Sequence, residues 1–163
     1  MFVTHGIWKF FAAAGLALGL VATGVSAAEH SAHQHGADAA QLALDNGKKW
    51  ATDEPLRKGM GAIRAELDTS LHAIHEGKLT AARYNALATK VTAEVGNMVA
   101  QCKLEPKADA QLHFVIAELL HVADVMQGKV KKASRQMGAV TVLGALEKYA
   151  AYFDHPNWQP IKE

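Results

Sequence analysis

The feature that most restricts this chain is a period. From Leu56 onward, apolar residues recur at steps of three and four: Leu56, Met60, Ile63, Leu67, Leu71 and Ile74. An α-helix turns once in about 3.6 residues, so these side chains share a face that must be covered. Thr52 or Asp53 can cap its start, with Pro55 in the first turn, where a missing N–H is harmless. Gly77 suits a left-handed C-terminal cap. A second stripe follows a start at Thr80: Tyr84, Leu87, Val91, Val95, Met98 and Cys102. Residues 103–107, with Pro106, read as the next connection.

The third helix is expected over about 108–127 and is the most apolar, with Leu112, Phe114, Val115, Ile116, Leu119, Leu120, Val122, Val125 and Met126. The fourth is expected over about 130–153, through Met137, Val140, Leu143, Leu146, Tyr149 and Phe153. Pro156 disfavours helix at the residue before it and stops the run. No strand-length alternating segment and no Asn-Gly hairpin is expected in this pattern. Helices of about 20 residues joined by short links predict an all-α fold, an antiparallel up-down-up-down four-helix bundle.

The beginning of the chain has a different grammar. Lys9 precedes an apolar run over about 10–25, and small residues occupy 25–28. This is the layout of a secretory signal peptide over 1–28, with cleavage near Ala27 or Ala28. The rival is a retained membrane anchor, but the run is short for a hydrocarbon core of about 30 Å. Export to a periplasm-type compartment is expected. Residues 29–49 read as a flexible leader bearing His30, His33 and His35, and residues 50–163 as the bundle.

The mature part, about 135 residues, suits one domain with a sizeable core. Lys9 is one of 17 basic residues, and setting it aside leaves 16 against 16 acidic ones. A net charge near zero gives no electrostatic case for nucleic acid or an anionic membrane. The single cysteine, Cys102, cannot form an internal disulfide. It is a buried thiol, an intermolecular bridge or a ligand.

An internal echo links the two halves. His75-Glu76-Gly77-Lys78-Leu79 resembles Met126-Gln127-Gly128-Lys129-Val130, an offset of 51 residues. Carried forward, it pairs Met98 with Tyr149 and Cys102 with Phe153, and so predicts an inward-facing thiol. The phrase His-Glu-Gly-Lys-Leu-Thr-Ala-Ala at 75–82, the four-helix layout and the export signal together resemble the periplasmic b-type four-helix cytochromes and the wider cytochrome c-prime-like bundles. The resemblance spans roughly residues 50–155. It implies the bundle fold and, as an alternative cofactor, haem b. The Cys-x-x-Cys-His attachment of the c-type members is absent. The b-type members use a methionine early in helix one, which Met60 matches, and a histidine near the end of helix four, for which His155 is the candidate beside Pro156.

No catalytic motif stands out: there is no Gly-x-Ser-x-Gly, no His-Glu-x-x-His and no phosphate-cradling glycine loop. Glu118 and His121 are spaced like half of a di-iron motif, but there is one copy. The chain is therefore expected not to be an enzyme. The notable set is Met60, Met98, Cys102 and His113. Folding the chain at its turns puts Met98 level with 58–60 and with Leu112 and His113. Helical side chains lean toward the N-terminus of their helix, so Cys102, Met60 and His113 are expected to converge, with Met98 a fourth candidate. A thiolate, an imidazole and thioethers form a soft set that favours copper, especially copper(I). Each residue also has a plain reading: methionine as gap-filler, cysteine as small hydrophobe, histidine bonded to backbone.

Other histidines divide similarly. His72 and His75 are expected at the surface, and His121 in the core or an interface. Trp50, Trp158, Tyr149, Tyr152 and Phe153 are expected to close the Cys102 end. The breadth of apolar surface on helix three suggests a homodimer. The leading expectation is copper holding or one-electron transfer with an unspecified copper-donor or redox partner. The alternatives are a haem b bundle and a metal-free interaction or stress protein.

Overall fold

The computed structural model describes residues 41–162. The expected signal peptide and His30, His33 and His35 lie outside the described residues. Four helices carry the fold: α1 (Glu54–His75), α2 (Ala81–Gln101), α3 (Pro106–Met126) and α4 (Arg135–Tyr152). The class is all-α, as the periodicity requires. Among the described residues no helix is long and apolar enough to cross a membrane.

The helix boundaries follow local chemistry. Asp53 caps α1 by accepting from Leu56 N–H, Thr80 caps α2 and Ser134 caps α4, while Pro106 occupies the first turn of α3. Each capped start is worth about 1 kcal/mol. α1 and α3 end alike. Gly77 (φ 65°) and Gly128 (φ 76°) are left-handed, and Lys78 and Lys129 donate back to the Ala73 and Asp124 carbonyls. This is the Schellman closure, which satisfies carbonyls the helix leaves orphaned. The echo between the halves holds further on: Cys102 and Phe153 are both extended C-cap residues, donating to the Met98 and Tyr149 carbonyls.

Leu56, Met60, Ile63, Leu67, Leu71 and Ile74 are all buried, as their spacing predicts. The helices pack in a ring of α1–α2, α2–α3, α3–α4 and α1–α4, and α2 also meets α4 across the centre. Fully buried Ala88, Ala139 and Ala145 suit that close approach. Met98 lies over Gly59, so the expected level of Met98 against 58–60 is what the packing shows.

Three expectations need correction. α4 starts at Arg135, not near 130, because Lys132 turns left-handed (φ 65°) and Ser134 supplies the cap. Met137 and Val140, expected inside, are 64% and 41% exposed. From Gln136 to Leu146 this helix carries no charge, so polarity does not choose its face. Small Gly138 chooses it instead, seating against Val125 and Met126, and its neighbour Ala139 is fully buried.

The third correction concerns 41–49, expected as flexible leader. Asp45 and Lys48 exchange backbone hydrogen bonds of 2.8 and 2.9 Å around Asn46 and Gly47, both at positive φ. That is the primed turn for which Asn-Gly is the usual sequence signal. Leu42 packs on the core, and the Ala43 N–H donates to Gln111 Oε1 at 2.7 Å. The Trp50 indole N–H donates to the Ala43 carbonyl at 2.6 Å. Trp50 also pairs with the end of α4: its N–H donates to the Tyr152 carbonyl, and Asp154 N–H donates to the Trp50 carbonyl, both at 2.8 Å.

Glycine substitutions test this packing. Gly61→Ala, Gly96→Ala and Gly144→Ala place a Cβ with nothing within 4 Å, and each should stabilise by about 0.5–1 kcal/mol through helix propensity. Gly138→Ala would set its Cβ 2.8 Å from Val125 Cγ1 and 3.0 Å from Val125 Cβ, and should cost about 1–3 kcal/mol. Thermal unfolding followed by circular dichroism should rank the four in that order.

Candidate functional site

The polar chemistry gathers where α1 begins and α2 ends. Asp53 Oδ1 accepts from Leu56 N–H at 3.0 Å, and Oδ2 accepts from Lys103 N–H at 2.6 Å. The Cys102 thiol lies under the influence of the same carboxylate. Burial opposes ionisation of Asp53, but the Lys103 and Leu56 amides and the thiol outweigh it and hold its pKa below the usual value. Cys102 moves the other way. Burial first, then the charge and hydrogen bond of Asp53 and the charge of Asp109, push the thiol up to about 12. At neutral pH Cys102 therefore keeps its proton and acts as a donor, since the thiolate is the nucleophile and metal ligand.

The expected ligand set is not brought together. Met60 and Met98 are fully buried, and Cys102 is half-buried one turn beyond Met98. His113 stands on the outer side of α3 with its side chain 62% exposed. Its Nδ1 lies 2.8 Å from the Asp109 carbonyl oxygen and 3.6 Å from Asp109 Oδ2. Leu112 takes the inward position on α3, and the next residue lies about 100° around the helix. Among the described residues no three His, Cys, Asp or Glu side chains are grouped to hold a metal ion. His121, expected in the core or an interface, is exposed, while His72 and His75 are at the surface.

Nor do Met60 and His155 fit a haem. Met60 is sealed in the core. His155 Nδ1 is 2.9 Å from the hydroxyl of Tyr149, and its ring sits 4.9 Å from Trp158 and 5.7 Å from Tyr149. Tyr149, with no exposed surface, stacks on Phe153 at 5.5 Å. A macrocycle there would have to displace this aromatic cap. Burial, and secondarily the Arg57 guanidinium, lower the pKa of His155. Burial also pushes the Tyr149 phenol up, keeping it a hydroxyl. Arg57 itself is held by the Thr52 carbonyl and hydroxyl at 2.5 and 3.1 Å.

Beside this structural end lies an open cleft that motif reading missed. One lobe, about 270 Å³, runs between Trp50, Asp53 and the Lys103–Leu104–Glu105 link. A second, about 410 Å³, continues past Pro106 and Lys107. Trp50, Asp45 and Glu105 border both lobes. Asp45, which enters the Asn46–Gly47 turn, lines both lobes, and that Asn-Gly pair was the available signal for the chain's reversal there. Comparison with family models, curated proteins and solved structures gives no match.

Two outcomes test the end cluster. Asp53→Ala should cost about 1–2 kcal/mol through the lost cap, and should lower the Cys102 pKa, raising its alkylation rate near pH 8 roughly tenfold per unit recovered. Iodoacetamide kinetics beside thermal melts check both. His155 is held neutral by the fold, so its contribution is intact above its unfolded pKa of about 6.5 and is lost as pH falls toward its depressed folded value. Unfolding midpoints at pH 8 and pH 5 should therefore differ less in His155→Gln than in the parent.

Proposed function

We propose that this chain is an exported, periplasmic binding protein without catalytic activity, and that its working surface is the cleft beside Trp50. One observation carries the reading. At this end Asp53, Cys102, Tyr149 and His155 are engaged in internal hydrogen bonds that hold the structure. The neighbouring cleft instead presents an aromatic face and charged side chains toward open space. A concave site with an apolar wall and a few polar groups is the usual form of a small-molecule site. Export rests on the signal-like layout of 1–28, and the fit with a bundle that carries no membrane-length helix among the described residues supports it.

Copper holding is the second reading, and one observation favours it. Cys102 and Met98 are one turn apart on α2, and Met98 lies over Gly59, next to Met60. Sulfur donors gathered near one end are a soft set suited to copper(I). This version does without His113 and requires Cys102 to surrender a proton that burial and Asp53 hold.

Titration of the purified full chain with copper(I) and copper(II), beside Cys102→Ala, separates the two readings. The binding-cleft reading expects the same stoichiometry in both proteins and no thiolate-to-copper absorption band. An intense band at one equivalent, lost in Cys102→Ala, would replace it with copper holding.

A further inference from the structure

The cleft carries enough chemistry to define its ligand, on the premise that this cleft is the binding surface. Several of its lining groups are already committed. The Trp50 indole N–H serves the Ala43 carbonyl, the Thr52 hydroxyl serves the Asp154 carbonyl at 2.5 Å, and Asp53 caps α1. These bonds fix the inner wall before anything binds, so little ordering cost remains for binding.

What is left for a ligand is specific. The Trp50 ring is half-buried, with its N–H anchored behind it. The Glu105 carboxylate makes no capping hydrogen bond to α3. Neither Glu105, Lys103 nor Lys107 forms an ion pair among the described residues. Asp45 accepts from the Asn46 side chain at 3.0 Å, and its carboxylate adds negative charge beside Trp50. Carboxylates and ammonium groups thus flank one aromatic surface. A simple anion would meet Asp45 and Glu105, and a simple cation would meet Lys103 and Lys107. A purely apolar ligand would strip water from all four charges without compensation.

We propose that the Trp50 cleft binds a small zwitterion, an α-amino carboxylate with an apolar side chain, as a free amino acid or a short peptide. Its ammonium pairs with Glu105 and Asp45, its carboxylate with Lys103 or Lys107, and its side chain lies on Trp50. Opposed charges at both ends give orientation, and the aromatic face gives contact area and attraction for the ammonium. The two lobes, about 270 and 410 Å³, are of the size such a molecule needs.

The test uses the full ¹⁵N-labelled chain, reading the Trp50 indole resonance and binding heat. The probes are L-phenylalanine, N-acetyl-L-phenylalanine, L-phenylalanine amide and the dipeptide Phe-Gly. Phenylalanine or the dipeptide should shift the Trp50 resonance, and the tighter of the two identifies the source. Capping either charge should weaken binding at least about tenfold, the effect of losing a charge-assisted hydrogen bond. Glu105→Gln and Lys107→Gln, both at exposed positions that the fold does not need, should each weaken binding several-fold. Capped probes that bind as well as the parent overturn the zwitterion assignment and leave the cleft a binding site. No shift at Trp50 with any probe, in a chain whose helical circular dichroism is intact, overturns the assignment and the binding-cleft reading together.

Discussion

The Asp53 carboxylate is the interaction on which this end of the bundle depends. One side chain satisfies the first turn of α1, receives the backbone just past α2, and holds the Cys102 thiol in its protonated form. Without it, two helix ends would present unpaired groups at a point where the chain also reverses into α3. Arg57, one turn on, ties Thr52 to the same corner, and Thr52 in turn holds Asp154. A single cap thus becomes a node joining α1, the α2–α3 link and the segment after α4. Burial above all makes the thiol reluctant to ionise, with Asp53 adding to it, while the Lys103 and Leu56 amides lead in keeping Asp53 acidic.

Of the soft-metal set expected from the sequence, His113 stands on the outer side of α3. Residue types and heights pointed to one end of the bundle, and Met98 over Gly59 shows that the heights were well placed. Height along an antiparallel pair follows from turn positions, which glycine and proline mark clearly. Angular position is harder to read on α3, where Phe114, Val115, Ile116, Leu119 and Leu120 leave little contrast between faces. His113 falls outside by one residue's rotation.

Elsewhere legibility followed contrast. α1 has polar and apolar faces, and its buried set was readable residue by residue. α4 lacks charge over most of its length, so its inward face was settled by the small size of Gly138 against Val125 and Met126, information held by the partner helix. The cleft depends on residues 45–53 crossing the bundle end to meet the α2–α3 link. Such a juxtaposition of distant segments has no local period to announce it, although Asn46–Gly47 marked where the chain would turn.

The pairing of Trp50 with the Phe153 region has a dynamic consequence. Bundles ordinarily loosen from their termini, where the outermost turns have neighbours on one side only. Here the backbone entering α1 and the backbone leaving α4 hold each other through Trp50, Tyr152 and Asp154, reinforced by Thr52 and by Lys49 on the Ala150 carbonyl. The first and last turns therefore resist fraying as a unit, and the easiest openings shift to the opposite pole. There, links carrying Gly77 and Gly128 present exposed backbone, and amide exchange should be faster there than at the first turn of α1 and the last turn of α4.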